Sequence, residues 1–160
     1  MTQRKVNLLD KIGSLIPGYQ GYATRDNMRN SDKQIRIFIS EKLIRIEEII
    51  EEIKKVLILK AKIQEATEFE QVRKNINTLA SKIKYAQYGE SAFFSLKQIK
   101  EDELEKIQQL DWQIAERTSL MEVLIETKLE ESVTAAALNQ NVKEIDKAFQ
   151  ERNHFIQQFK

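Results

Sequence analysis

Residues 39–57 read Ile-Ser-Glu-Lys-Leu-Ile-Arg-Ile-Glu-Glu-Ile-Ile-Glu-Glu-Ile-Lys-Lys-Val-Leu. Within them Ile39, Leu43, Ile46, Ile50, Ile53 and Leu57 recur at alternating steps of four and three, the seam of a coiled-coil helix. Ile35, Phe38, Ile49, Val56 and Ile63 widen that seam, so the helix should face more than one partner. Neither glycine nor proline interrupts the chain from Ala23 to Tyr88. The pattern predicts one long helix from about Arg25 to Gln64.

Upstream, residues 12–22 read Ile-Gly-Ser-Leu-Ile-Pro-Gly-Tyr-Gln-Gly-Tyr and hold the single proline and three of the four glycines. Pro17 lacks an amide donor and disfavours the α conformation at Ile16. Gly18 and Gly21 admit backbone angles that other residues resist. A sharp turn is expected here. It follows a short amphipathic helix over residues 4–16, whose stripe is Val6, Leu8, Leu9, Ile12, Leu15 and Ile16. Thr24 or Asp26 can cap the long helix after the turn.

Downstream, Phe69, Val72, Ile76, Leu79, Ile83 and Ala86 mark a helix over Thr67–Ala86, entered by a bend or break near Glu65–Glu68. Thr67 and Glu70 match a capping box. Gly89 is the natural C-terminal cap. Phe93, Phe94 and Leu96 would plug one end of a bundle. Leu104, Ile107, Leu110, Ile114, Met121, Leu124 and Ile125 predict a helix over Glu101–Val133, with Glu101, Asp102 and Glu103 favourable at its positive end. Val142, Ile145, Phe149, Phe155 and Ile156 predict a last helix, from Ala136 or Asn139 to Gln158. No strand-like alternation occurs. The expected fold is an all-α antiparallel helical bundle with long coiled-coil-like helices, four of them main, and a short N-terminal amphipathic helix. Short loops favour up-and-down neighbours. Residues 1–160 form one domain, with helix and turn in 1–23 and the bundle in 24–160.

Of the 160 residues, 32% are charged and 41% hydrophobic, a composition typical of long helices. The absence of cysteine excludes disulfides and thiolate metal sites. No apolar run approaches the roughly 18–20 residues of a membrane span, and no secretory leader is apparent. A cytoplasmic location is the default expectation. The net charge of +1 hides an uneven distribution: residues 1–40 carry +4 and residues 101–131 carry −7. Basic and acidic helices can pack side by side, or the acidic helix can recruit a basic partner. No segment forms the dense basic stripe with interleaved aromatics that nucleic-acid binding requires.

Catalytic elements are scarce. His154 is the one histidine, and neither a nucleophile elbow nor a glycine-rich phosphate loop is present. The chain is expected not to be an enzyme and to need no cofactor. Glu151 and His154 form one Glu-x-x-His pair, but a di-iron bundle needs two, with further inward glutamates. Glu47, Glu48, Glu51 and Glu52 fall beside the apolar seam, so no metal site is expected. Arg4, Lys5 and Lys11 flank the N-terminal stripe, which can lie on a membrane surface or cover the bundle end. Arg25, Asp26, Arg29, Asp32, Lys33 and Arg36 form a charged ladder after the turn. It can pair internally and anchor the turn. Alternatively Arg25, Arg29 and Arg36, with Tyr19 and Tyr22, can form a pocket for an anion or acidic partner, because arginine forks grip carboxylate and phosphate. Trp112, beside Asp111 on the acidic helix, is a candidate interface residue.

The segment Leu15-Ile16-Pro17-Gly18-Tyr19, Gly21-Tyr22, followed by Arg25, Arg29 and Asp32, resembles the start of a group of small bacterial helical proteins. Tyr85, Tyr88-Gly89, Phe93-Phe94, Glu103-Leu104 and Asp111 extend the resemblance in the same order. It implies a single-domain bundle in which the tyrosine-bearing turn is a family feature, and it brings no activity or catalytic residues. The functional expectation is a non-enzymatic interaction or scaffold protein acting through helix faces, with a protein partner or self-association. A peripheral membrane coiled coil and a small-ligand or anion-binding bundle are the alternatives.

Overall fold

The structure is a computed structural model, and it describes residues 7–22, 25–86, 100–127 and 133–158. Five helices account for nearly all of them, and no strand occurs among the described residues. They are α1 (Leu8–Leu15), α2 (Arg25–Leu59), α3 (Ile63–Lys84), α4 (Glu101–Thr127) and α5 (Ala135–Gln157). The side chains of Arg25 and Asp26, the residues near Gly89 and the Phe93–Phe94–Leu96 plug lie outside the described residues. So do Arg4, Lys5, Val6 and Thr24.

Local chemistry sets most helix ends. Asn7 caps α1 by accepting from the Leu9 amide at 3.3 Å. Thr134 caps α5 by accepting from the Ala137 amide at 3.2 Å. Each supplies a side-chain oxygen to an amide that the helix leaves orphaned. The long helix ends earlier than its sequence pattern implies, at Leu59 rather than Gln64, and α3 starts at Ile63 rather than Thr67. The break is a Schellman motif: Lys62 N–H donates to Leu57 O at 2.8 Å, and Ala61 N–H donates to Ile58 O at 3.0 Å. Ala61 occupies the left-handed position, with φ of 58°. Glycine normally signals such a stop, and alanine hides it from a sequence reading. Thr67 is therefore inside the helix, where its hydroxyl donates to the Ile63 carbonyl.

Four helices form the bundle. Helix α2 packs on α3 and α4, and α5 packs on the same two, so α2 and α5 face each other across a diagonal. Lys42–Glu122 and Arg45–Glu126 ion pairs advance together along α2 and α4, making these helices parallel. Asn75–Asn139 and Lys82–Asp146 do the same for α3 and α5. The fold is thus two antiparallel hairpins, α2/α3 and α4/α5, laid side by side. Consecutive α3 and α4 are not neighbours. The 16 residues between Lys84 and Glu101 therefore connect helices on opposite corners of the bundle.

The core is continuous from Ile12 and Ile16 through Ile35, Ile39, Leu43 and Ile46 to Ile76, Ile114, Ile145 and Phe149. Helix α1 lies on α4 with Ile12 fully buried and Leu8, Leu9 and Leu15 packed against the core. Its apolar stripe is thereby engaged inside the molecule.

The hairpins differ in length. Glu126 of α4 lies beside Arg45, and the 14 residues from Arg45 to Leu59 extend α2 about 21 Å further at 1.5 Å per residue. There α2 and the start of α3 form a two-helix arm. Its shaft carries an ionic lattice in which Arg73 bridges Glu47, Glu51 and Glu70, while Lys54 joins Glu51 and Glu70. Val56, Ile58, Leu59 and Ile63 are exposed at its tip, Leu59 by 87%.

Candidate functional site

Three charged residues occupy positions that the helical repeat reserves for apolar ones. Asp32 stands in the seam Met28–Ile35–Ile39 of α2, Asp111 in Ile107–Ile114 of α4, and Arg152 in Ile145–Phe149–Ile156 of α5. All three are buried, at 2%, 0% and 0% exposure. Helical phase points them into the bundle centre, where an isolated charge would be severely disfavoured. They meet there, two carboxylates on one guanidinium, and Arg36 supplies the second positive charge through Asp32.

Arg152 is the hub. Its Nε donates to Asp111 Oδ1, and its Nη2 reaches across the diagonal to Asp32 Oδ1 at 2.8 Å and to the Tyr22 hydroxyl oxygen at 3.0 Å. Tyr22 in turn donates its hydroxyl proton to Asp111 Oδ2. Tyr19 donates to the same oxygen at 2.7 Å. The two rings sit edge to face with centroids 6.0 Å apart. Asp32 Oδ2 accepts from Arg36 Nε at 3.0 Å, and Arg36 Nη1 donates to the Lys84 carbonyl at the end of α3 at 3.1 Å. The turn, α2, α3, α4 and α5 all contribute to this one cluster.

The turn is shaped to deliver its tyrosines. Gly18 and Gly21 have φ of 87° and 75°. At Gly21 an added Cβ would lie 2.9 Å from Gln108 Nε2 and 3.2 Å from Leu9 Cδ1, so a side chain there meets the left-handed backbone angle and also requires the Gln108 and Leu9 side-chain ends to shift. Ser31 accepts from the Gln20 amide and donates to the Gly21 carbonyl, and Asn30 Nδ2 donates to the Gly18 carbonyl at 2.7 Å. These bonds fasten the turn backbone to α2.

Burial and neighbouring charges shift the ionisable groups of the cluster. Burial, then Asp111, raises both phenols above their ordinary pKa, so they remain donors. Burial also raises the Asp111 carboxyl, against the opposing pull of Arg152 and the two phenols. Burial works against the Arg152 charge, but Asp111, Tyr22 and Asp32 outweigh it and hold the guanidinium above its ordinary value. Two carboxylates and two guanidiniums balance. A group set of this kind, buried and linked by hydrogen bonds across four helices and the turn, positions helices. One donor, Arg152 Nη1, is buried without a partner.

The sequence-derived site residues divide. Tyr19 and Tyr22 are brought together as expected, but their hydroxyls hold the protein's own Asp111. Arg36 joins the same cluster through Asp32. Arg29 is exposed on the outer side of α2. Trp112 is half-buried against the core. Asp111 and Arg152 complete the cluster without standing among the sequence-derived site residues. Their signal was a charged residue in register with an apolar seam on two further helices.

Outside the cluster lies a groove of about 620 Å³ lined by Arg29, Asn30, Asp32, Lys33, Arg36, Ile37, Lys84 and Tyr85. His154 is exposed on α5. Among the described residues no three histidine, aspartate or glutamate side chains converge as metal ligands, and no helix is long and apolar enough to cross a membrane. Comparison with protein-family models, curated proteins and solved structures finds no match.

Proposed function

We propose that the chain is a non-enzymatic interaction protein that works through the arm of α2 and α3. The observation that carries this reading is the exposure of Val56, Ile58, Leu59 and Ile63 together at the tip of a projecting hairpin. Apolar side chains gathered at one exposed place favour burial against a partner. The ionic lattice along the shaft and the fastened bundle behind it give such a tip a rigid mount.

The occupant is a second copy of the chain. Along the outer face of the arm the charges change sign: Glu48 and Glu52 precede Lys55, Lys60 and Lys62, all exposed. An antiparallel copy centred near Val56 brings the acids of one arm against the lysines of the other, with Val56 and Leu59 between them. Such a two-fold contact is self-complementary by construction. Light scattering with chemical crosslinking over a concentration series tests it. The expected result is a dimer that Leu59→Asp converts to a monomer with unchanged helical content. A monomer at every concentration contradicts the proposal.

A further inference from the structure

The corner between α2 and α3 is built from residues that favour continuing the helix. Residues 59–66 read Leu-Lys-Ala-Lys-Ile-Gln-Glu-Ala, all but Ile63 strong helix formers. None of them is a glycine, proline, asparagine, aspartate or serine, the residues that ordinarily make turns. Ala61 nevertheless holds the left-handed angle, with φ of 58°. Lys62 stands at the N-cap of α3 and gives it no side-chain bond, whereas Asn7 and Thr134 cap α1 and α5. The amides of Ile63, Gln64 and Glu65 therefore open the helix without a capping side chain. Lys60 and Lys62 precede its positive end, where the helix dipole disfavours cations. All of this is relieved if α2 and α3 run on as one helix: Ala61 returns to the α region, and the three amides donate to the Leu59, Lys60 and Ala61 carbonyls.

From these observations we infer that Ala61 is an exchange hinge, through which two copies of the chain trade residues 62–160. The inference rests on the reading that the arm's partner is a second copy, and it adds an exchange to that contact. Opened at the corner, a chain becomes one rod of about 90 Å from Arg25 to Lys84, at 1.5 Å per residue. It loses the contacts of α1 and α2 with the later helices. A second opened chain restores them: its α3 lies on the first chain's α2, and the ion pairs of Arg73 and Lys54 re-form between chains. The buried cluster is then shared, with Tyr19, Tyr22 and Asp32 from one chain and Asp111 and Arg152 from the other. The exchanged contacts are those of the closed chain, so the corner and the concentration decide between the two forms. A short strained corner favours exchange. It also stands at the end of the arm, about 21 Å past the level of Glu126, so two bundles joined through it lie apart, end to end.

Isotopically light and heavy full-length chains, unfolded together in urea and refolded over a concentration series, test the inference. Zero-length carbodiimide coupling then joins lysines to the carboxylates they touch, and mass spectrometry reads which isotopes are joined. Lys54–Glu70 and Lys42–Glu122 span the hinge, whereas Lys82–Asp146 lies wholly on one side of it. In the dimer fraction, light-to-heavy coupling is expected in about half of the first two pairs, the limit for random pairing of two copies, and in none of the third. Ala61→Gly relaxes the corner, so it should cut the mixed product by about tenfold with helical content unchanged. A dimer whose hinge-spanning pairs join only like isotopes overturns the exchange and leaves the contact of closed arms standing. A monomer at every concentration overturns both. Mixed coupling at Lys82–Asp146, or a mixed product that Ala61→Gly leaves unchanged, also overturns the hinge.

Discussion

Tyr22 uses one hydroxyl twice, donating to Asp111 and accepting from Arg152. Removing it as Tyr22→Phe leaves both partners one bond short in a dry interior, and urea unfolding should show a loss of about 1–3 kcal/mol. The Tyr19 hydroxyl donates to the same oxygen and meets no guanidinium among the described residues, so Tyr19→Phe should cost less in the same assay. The glycines of the turn separate by a similar argument. Gly21→Ala meets strained φ and close contacts with Gln108 and Leu9, whereas Gly18→Ala meets strained φ with Gln34 at ordinary contact distance. Gly18→Ala should lose about 1–2 kcal/mol from its left-handed backbone alone, and Gly21→Ala distinctly more; thermal melts of the pair check the order. The turn itself was legible in the sequence because Pro17, Gly18 and Gly21 announce it. Its purpose was not, because the acid that fills the space between the tyrosines comes from α4, 89 residues after Tyr22. Periodicity assigns Asp111 and Arg152 to helices without saying that they meet.

Among the elements, the α2–α3 arm carries the clearest consequences. Ala61 holds the left-handed corner of the hairpin without being glycine. Ala61→Gly should stabilise the protein by up to about 1 kcal/mol, since the gain from relieving that conformation exceeds glycine's added freedom in the unfolded chain; a rise in the urea midpoint is the check. The same alanine explains why the helix boundary differs from the sequence expectation, and beyond the bundle's end Val56 and Ile63, which spacing assigns to the seam, are exposed. On the shaft, hydrogen bonds from Arg73 and then Lys54 lower the Glu70 pKa from 4.5 to about 2. Its folded pKa is depressed, so its contribution is present above pH 4.5 and is lost as pH falls from there toward 2. Unfolding at pH 7 and pH 3 should show that Glu70→Gln costs less than about 1 kcal/mol at neutral pH, where partial exposure screens the pairs, and still less at pH 3.

At the scale of the whole molecule, the bundle is organised around charge as much as around apolar packing. The seams of α2, α4 and α5 would close on one another without Asp32, Asp111 and Arg152. With them, the observed arrangement brings Arg152 against both buried aspartates. This gives the cluster a role in selecting the diagonal pairing of α2 with α5 and in fixing the turn over the bundle end. A buried ion pair adds little over an apolar substitute, yet breaking one by removing a single partner is strongly destabilising. The most direct test is therefore urea unfolding of Arg152→Met, followed in parallel by helix circular dichroism and tyrosine fluorescence. The structure predicts a loss of about 3–5 kcal/mol, from two buried carboxylates that lose their shared guanidinium, in a single transition common to both probes. An unchanged midpoint, or a tyrosine signal that alters while the helices unfold as before, would contradict a cluster that holds turn and bundle together.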